Sequence, residues 1–474
     1  MVDRDPPAFM KRHSPRLSSR AFWVLVGICA CIIPLIRSTT NFTSVWDEHA
    51  HLSYVQYVHD FKWPASGYPM NTWGREAFAC HPHQLYGPMA QAACGENGPG
   101  NMYPTGGANT AEGWPPIAYV AIANLSRPIA LFVDDPLHAA RVGVVALWGL
   151  GMLCLAKLAR KNGQSDAFII GWVLAMSSLP GIAYFSSFVS PYSSIPLLAA
   201  YAIWSTLWIF QRLNDLKQPW TRADLVPATC ALMFPAISVL TVPHSISIVI
   251  AISIALGLYA ITNLNRKNPK ESALRMVVAS TTAFVLAFGA NRAYRFYVSY
   301  NARRSIPYPV DTNPDVAPPT MVHDQDWLGQ GIQRAWDFFP NALHSALPVN
   351  RSFEFTSTLF IWGVVGVILA AALGLSSSRN AGFLATGVIV ASPVSALVFY
   401  YSLTFEPPPR YGLPLALFGS AIVLIVPASR RATRIFLTLA TILAVFAVVN
   451  EPIYIEQPCW QVGESGYLEL CESS

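Results

Sequence analysis

Apolar stretches of roughly 16 to 22 residues recur along the chain, separated by short polar segments. About 20 apolar residues suffice to cross a bilayer, so this rhythm predicts helices threaded repeatedly through a membrane. The first stretch, 21–36, follows a segment carrying Arg4, Lys11, Arg12, Arg16 and Arg20. The others cover 138–156, 167–185, 194–211, 225–242, 244–263, 272–290, 356–375, 381–402, 411–428 and 435–450. That makes about eleven spans. A cleavable leader is the competing reading of the first, but 38–45 offers no good small-x-small site, which favours a retained span.

One segment tests the count. Residues 115–133 are apolar enough to be taken for a span, but a crossing there would move every later loop to the other side. With the segment uncrossed, the inner loops collect Lys157, Arg160 and Lys161, then Arg212, Lys217 and Arg222, then Arg266, Lys267, Lys270 and Arg275. Arg379, Arg430, Arg431 and Arg434 join them, and with the N-terminal five this places 19 of the 31 Lys and Arg residues inside. Short loops obey the positive-inside rule with this parity. The segment therefore reads as a helix on the outer surface, or re-entrant, that does not cross. Cysteines point the same way: Cys80 and Cys94 share the first outer loop, and Cys459 and Cys471 share the outer tail. Each local pair reads as a disulfide on an oxidising side.

Composition narrows the class. Only 12% of the 474 residues are charged, against 53% hydrophobic, where a soluble chain carries about a quarter charged. This excludes a soluble enzyme, a nucleic-acid-binding domain and a disordered chain. The protein reads as an all-α polytopic protein of the cell membrane. Its expected segments are an inner N-terminal piece (1–20), a transmembrane module (21–290) holding an outer loop with surface helices (38–137), a large outer loop (291–355), C-terminal spans (356–450) and an outer tail (451–474). Loops that long are uncommon without a function, so any chemistry is expected to face outward.

Trp46-Asp47-Glu48-His49-Ala50-His51, just past the first span, is the most informative run. On a helix His51 lies four residues from Asp47 and three from Glu48, facing both carboxylates. Two acids and an imidazole there can act as a general base, as a divalent-metal site, or both. A helix start capped by Ser44, with Asp47 in a variant capping box, fits the same residues.

Three stretches together carry a resemblance. The Trp46–His51 run looks like the Asp-Glu-x-x-His motif in the first outer loop of GT-C membrane glycosyltransferases and of a little-characterised bacterial membrane family related to them. Gly113-Trp114-Pro115-Pro116-Ile117-Ala118-Tyr119 is similar to the start of their surface helix, with Trp114 where His is usual. Pro408-Pro409-Arg410-Tyr411-Gly412-Leu413-Pro414 resembles the Gly-Arg-Tyr-x-x-Pro-like start of a late span, with Pro409 in place of Gly. The chain departs from the family at Val189-Ser190-Pro191-Tyr192, where relatives often have an Asn-Pro-Asp-like motif.

The resemblance implies a GT-C-like fold and an inverting transfer of a sugar from a polyprenyl-phosphate donor. The acceptor would be an envelope glycan, glycolipid or protein on the extracytoplasmic side, with the bilayer as partner and no nucleic acid. It gives the base role to Asp47, with Glu48 and His51 orienting it or sharing a Mg²⁺ or Ca²⁺ ion through Asp47 and Glu48. Departing phosphate needs cations at headgroup level, where Arg is suited by its forked donors. Arg410, with Tyr411 beside it, is the candidate the motif names. Arg292 and Arg295, three apart past a span, can face one site if the helix continues; Arg303 and Arg304 lie further on. Anchoring to anionic headgroups accounts equally for Arg292, Arg295 and Arg141.

Other residues carry blander readings. His81 and His83 read as surface residues of a Cys-bounded loop, and His244 as a hydrogen-bonded turn residue. Asp311, Asp315, Asp324 and Asp326 fit a solvated loop as well as an acceptor groove. Trp46, Trp63, Trp73 and Trp114 fit an interfacial belt or a sugar-stacking surface. Two readings from other classes stand beside the enzyme. One is a transporter or flippase of a lipid-linked substrate, with helices broken at Pro180-Gly181, Pro235 or Pro243. The other is a non-catalytic scaffold subunit that kept the fold.

Overall fold

The computed structural model describes residues 17–44, 48–63, 68–82, 92–96, 98–99, 102–103, 107, 109–214, 221–264, 269–300, 335, 338–339, 341–344, 351–402, 409–449, 460–462 and 468–470. Helix α1 (Ser19–Ser38) begins where Ser18 caps Ala21 N–H. Three helices follow before the next long one: α2 (Glu48–His59), α3 (Thr72–Cys80) and α4 (Ile117–Ser126). Then come α5 (Pro136–Lys161), α6 (Asp166–Ser178), α7 (Pro180–Ser187), α8 (Ile195–Asn214), α9 (Arg222–Thr241), α10 (Ile246–Leu264) and α11 (Pro269–Tyr300). The chain continues through α12 (Arg351–Ala372), α13 (Arg379–Ser402), α14 (Leu413–Ile422) and α15 (Arg430–Val449). A short antiparallel pair, β1 (Trp460–Val462) and β2 (Leu468–Leu470), lies near the C-terminus.

Among the described residues eight helices are long and apolar enough to cross a membrane, or nine with α6 and α7 counted as one bent span. The molecule is a polytopic helical membrane protein. Two expected spans take unexpected forms. The 167–185 stretch is broken, with α6 and α7 meeting at 81°. Leu179 is extended there and Pro180 opens α7. A residue before proline is driven out of the helical region, so the break lies where proline chemistry requires it. The 411–428 stretch is shorter than a span: α14 plus a 3-10 turn, every residue from Leu413 to Ile425 buried. It packs against α8, α10, α12 and α13 and forms the centre of the bundle. Hydropathy alone cannot separate such an interior helix from one facing lipid.

The 115–133 segment forms α4 and a short turn, Ile117–Leu131 in all. Fifteen helical residues span roughly 22 Å, less than the ~30 Å hydrocarbon layer. It lies against α2 and α5, and so agrees with the non-crossing reading. Helix α11 covers the expected 272–290 stretch and runs on to Tyr300 but is not among those eight, so the expected eleven spans become eight or nine among the described residues.

Segments assigned by charge parity to one side meet at one end of the bundle. At one end Leu17 N–H and Arg160 bind Asp166, Gln164 donates to Val426 O, and Arg212 pairs with Asp224. At the other gather the chain after α1, α2, α4, the start of α5, and the links α7–α8 and α9–α10. Arg37, at the end of α1, donates to Ala447 O at the end of α15.

Close approach also occurs where a 3-10 turn, Pro409–Gly412, leads into α14. A Cβ on Gly412 would stand 2.4 Å from Phe338 Cα and 2.5 Å from its carbonyl oxygen. Gly412→Ala is therefore expected to lower stability in detergent by about 1–3 kcal/mol through overpacking. Gly363→Ala, where nothing lies within 4 Å, is expected to leave it unchanged or slightly raised. Thermal melts of the two variants check this; equal melting temperatures would contradict the packing.

Candidate functional site at one end of the bundle

The start of α2 is anchored by a buried ion pair. Glu48 and Arg141 are both 0% exposed. Arg141 Nε donates to Glu48 Oε1 at 2.8 Å and Nη2 to Oε2 at 2.7 Å, the fork-on-fork geometry that Arg offers a carboxylate. Glu48 also accepts from Ser44 N–H at 2.9 Å and from Val189 N–H at 2.8 Å. Arg141 donates further to the carbonyls of Thr40 (2.6 Å), Phe42 (2.6 Å) and Ser38 (3.4 Å), with Phe188 beneath its guanidinium. One pair thus joins the chain after α1, α2, α5 and the link after α7.

This corrects two expectations. Glu48 is neither a free general base nor a metal ligand, because its oxygens are occupied by a guanidinium and two amides. Arg141 is not a lipid contact; it is enclosed in protein. Among the described residues no group of three or more His, Cys, Asp or Glu is placed to hold a metal ion. Asp47 and Trp46 lie outside the described residues. So do His83, Arg303, Arg304, Cys459, Cys471 and the four aspartates at 311–326.

His51, three residues beyond Glu48, takes partners other than that carboxylate. It is 6% exposed, and its Nδ1 lies 2.7 Å from the Tyr119 hydroxyl. Burial first, and the charge of Arg410 second, push its pKa down to about 3, leaving an uncharged imidazole at neutral pH. Tyr119 packs tilted against Tyr54 with ring centres 4.0 Å apart, and the Tyr54 hydroxyl meets that of Tyr294 on α11 at 3.2 Å. Tyr294 in turn donates to the carbonyl of Trp114.

Trp114 is the hub. Its indole meets His51 edge-on at 5.6 Å, Tyr192 at 5.6 Å and His244 at 5.3 Å. The Tyr192 hydroxyl lies 2.8 Å from His244 Nδ1, and the His244 ring stacks on Tyr411 at 3.7 Å. Arg410 lies over the edge of Tyr411, 5.6 Å from its centre, and is near enough for its charge to act on both His51 and His244. Arg295 acts on His244 as well, whereas the Arg292 guanidinium lies 5.1 Å from the Phe288 ring one turn back. The three motif stretches and the Val189–Tyr192 stretch converge at this one place.

Of the residues gathered here, the sequence singles out His51, Trp114, Arg295, Arg410 and Tyr411. His244 was read as a turn residue, and Tyr119, Tyr192 and Tyr294 were not singled out. The available signal was the Ser190-Pro191-Tyr192 departure, where an aromatic replaces an expected acid.

The expected Cys80–Cys94 disulfide is formed. His81, next to it, places Nδ1 3.0 Å from Asn41 O and Nε2 3.4 Å from Asp135, to which His138 also bonds. Two acceptors across one ring suit the doubly protonated imidazolium, and the bond to Asp135 raises the His81 pKa despite burial. Asp135 is held below its usual range: burial opposes this, but hydrogen bonds from His81 and His138 outweigh it.

No family model matches the chain, and no curated protein matches it. Among solved structures, the archaeal oligosaccharyltransferase AglB from Archaeoglobus fulgidus, in complex with an inhibitory peptide and a dolichol-phosphate, aligns at TM-score 0.42 and 12% identity. The alignment covers 92% of this chain and 55% of AglB, so the chain spans about half that protein's length.

Two predictions follow from this geometry. Arg141→Ala strands a buried carboxylate and is expected to cost ~3–5 kcal/mol. Arg141→Lys is expected not to restore stability, since a point ammonium cannot serve a carboxylate and three carbonyls together; a wild-type melt for Arg141→Lys would contradict the anchor. The His81–Asp135 contact is stabilising below the ordinary His value of 6.5 and is lost as pH rises through the raised folded value. Asp135 contributes above its ordinary 3.8 and loses that contribution as pH falls through the lowered one. Amide protection at Cys80 and His81 is expected to be greatest between those two pH values and to fall on the alkaline side. Protection that rises with pH after correction for intrinsic exchange would contradict it.

Proposed function

We propose that the chain is a membrane glycosyltransferase moving a sugar from a polyprenyl-phosphate donor to a hydroxyl acceptor on the extracytoplasmic side. The observation that supports this reading best is the convergence of His51, Trp114, Tyr119, Arg410 and Tyr411, drawn from three distant motif stretches, at one end of a membrane bundle. Arg410, with Arg295 near His244, supplies positive charge where a lipid phosphate would leave. Trp114 supplies an aromatic surface suited to a sugar face. A cleft of about 310 Å³, lined by Thr206, Phe234, Pro235, Ile252, Leu256 and Ala283 among others, opens in the apolar layer. It lies roughly 10–20 Å along α10 and α11 from His244 and Arg295, a suitable place for part of an isoprenoid chain.

In the proposed reaction the acceptor hydroxyl attacks the anomeric carbon as the bond from that carbon to the phosphate oxygen breaks. Asp47, directly preceding the anchored Glu48, takes the hydroxyl proton. The phosphate departs carrying the bonding electron pair, and Arg410 offsets its charge. Configuration inverts at the anomeric carbon.

The flippase reading draws on the broken helix at Pro180. There, however, α7 is buried throughout, and a Cβ on Gly181 would meet the carbonyl oxygen of His344 at 2.3 Å. A wedged segment is a poor moving gate.

Asp47→Asn is expected to abolish sugar transfer from polyprenyl-phosphate donors in reconstituted vesicles while melting like the wild type. Arg410→Ala is expected to weaken decaprenyl phosphate binding about tenfold to a hundredfold, the worth of a charge-assisted hydrogen bond, and to leave the acceptor KM little changed. Retained turnover in Asp47→Asn would remove the base, and an unchanged donor affinity would remove Arg410 from the site.

A further inference from the structure

Two histidines from distant parts of the chain are held alike. His51 on α2 and His244 at the α9–α10 link are 6% and 8% exposed. Each has Nδ1 against a tyrosine hydroxyl, Tyr119 at 2.7 Å and Tyr192 at 2.8 Å. Both rings meet the Trp114 indole edge-on, at interplanar angles of 82°. Arg410 acts on both. This matched arrangement is more than a turn residue needs, since a buried polar turn is satisfied by one backbone partner.

We propose that His51 and His244 form a pair of uncharged phosphate contacts, each fixed by its tyrosine hydroxyl on Nδ1 so that Nε2–H is offered to the anion that Arg410 attracts. The inference rests on the lipid-phosphate reading above and deepens it. A neutral imidazole has one accepting and one donating nitrogen. A phenol hydroxyl donating to Nδ1 places the proton on Nε2, while the reverse tautomer would turn a lone pair toward the anion. Burial beside Arg410 disfavours an imidazolium at His51. Uncharged donors have a specific use: the site can hold a phosphate without trapping it, because only the arginine charge has to be overcome when the lipid phosphate leaves. The proposed role of Tyr119 and Tyr192 is positioning, acting through the imidazoles.

The test uses the full-length protein in detergent and two probes, decaprenyl phosphate and decaprenol. Tyr192→Phe and Tyr119→Phe keep the rings and remove only the hydroxyls; His244→Phe keeps the stack on Tyr411 and removes the donor. Each is expected to weaken decaprenyl phosphate binding about tenfold, with decaprenol binding unchanged. In ¹⁵N-histidine spectra at pH 7, the signals lost in His244→Phe and in His51→Phe are expected to be those of neutral rings protonated on Nε2. Wild-type binding with equal affinities in all variants, or rings that are charged or protonated on Nδ1, would overturn the inference and leave the glycosyltransferase reading standing. A wild-type protein that binds decaprenyl phosphate no better than decaprenol would overturn both.

Discussion

The geometry at the site end hangs on the Glu48–Arg141 pair. Removing two charges from water costs several kcal/mol each, and their attraction repays this only when the remaining hydrogen bonds are satisfied. Here they are: the carboxylate accepts two backbone amides, and the guanidinium serves three carbonyls. The pair is better understood as a geometric constraint than as a net source of stability. It fixes the start of α2 against α5 and against Val189, and so sets where His51 and Tyr192, a few residues on from those anchors, come to lie.

What it positions is, among the described residues, aromatic. Trp114 meets three rings edge-on, Tyr294 ties α11 to the Trp114 carbonyl ahead of α4, and the Tyr411 ring stacks on His244. The charge acting on the histidines is Arg410, joined at His244 by Arg295. Such a place suits a phosphate and a sugar face better than it suits a cation. In the proposed chemistry the acid is Asp47, directly before the pinned Glu48 in the chain.

Much of the architecture was legible in local patterns. Span rhythm and the length of 115–133 anticipate a polytopic helical bundle and a helix too short to cross it. The nearby Cys80–Cys94 pair was legible because both cysteines share one loop. What escaped was long-range. Nothing near Glu48 announces a partner 93 residues away, so a helical spacing that placed His51 opposite it looked catalytic. His244 appeared ordinary because its worth comes from Tyr192 and Tyr411, 52 and 167 residues distant. The interior position of α14 was hidden for a similar reason, since neighbouring helices rather than its own residues keep lipid away. Pro180 did mark the break between α6 and α7, but not its angle.

The most direct test is an electron cryo-microscopy structure of the protein in nanodiscs with decaprenyl phosphate. The account predicts phosphate density within hydrogen-bonding distance of the Arg410 guanidinium, beside Trp114 and within reach of the Asp47 carboxylate. Phosphate density at the opposite end of the bundle, or a Asp47 carboxylate sealed off from the Arg410 side, would contradict it.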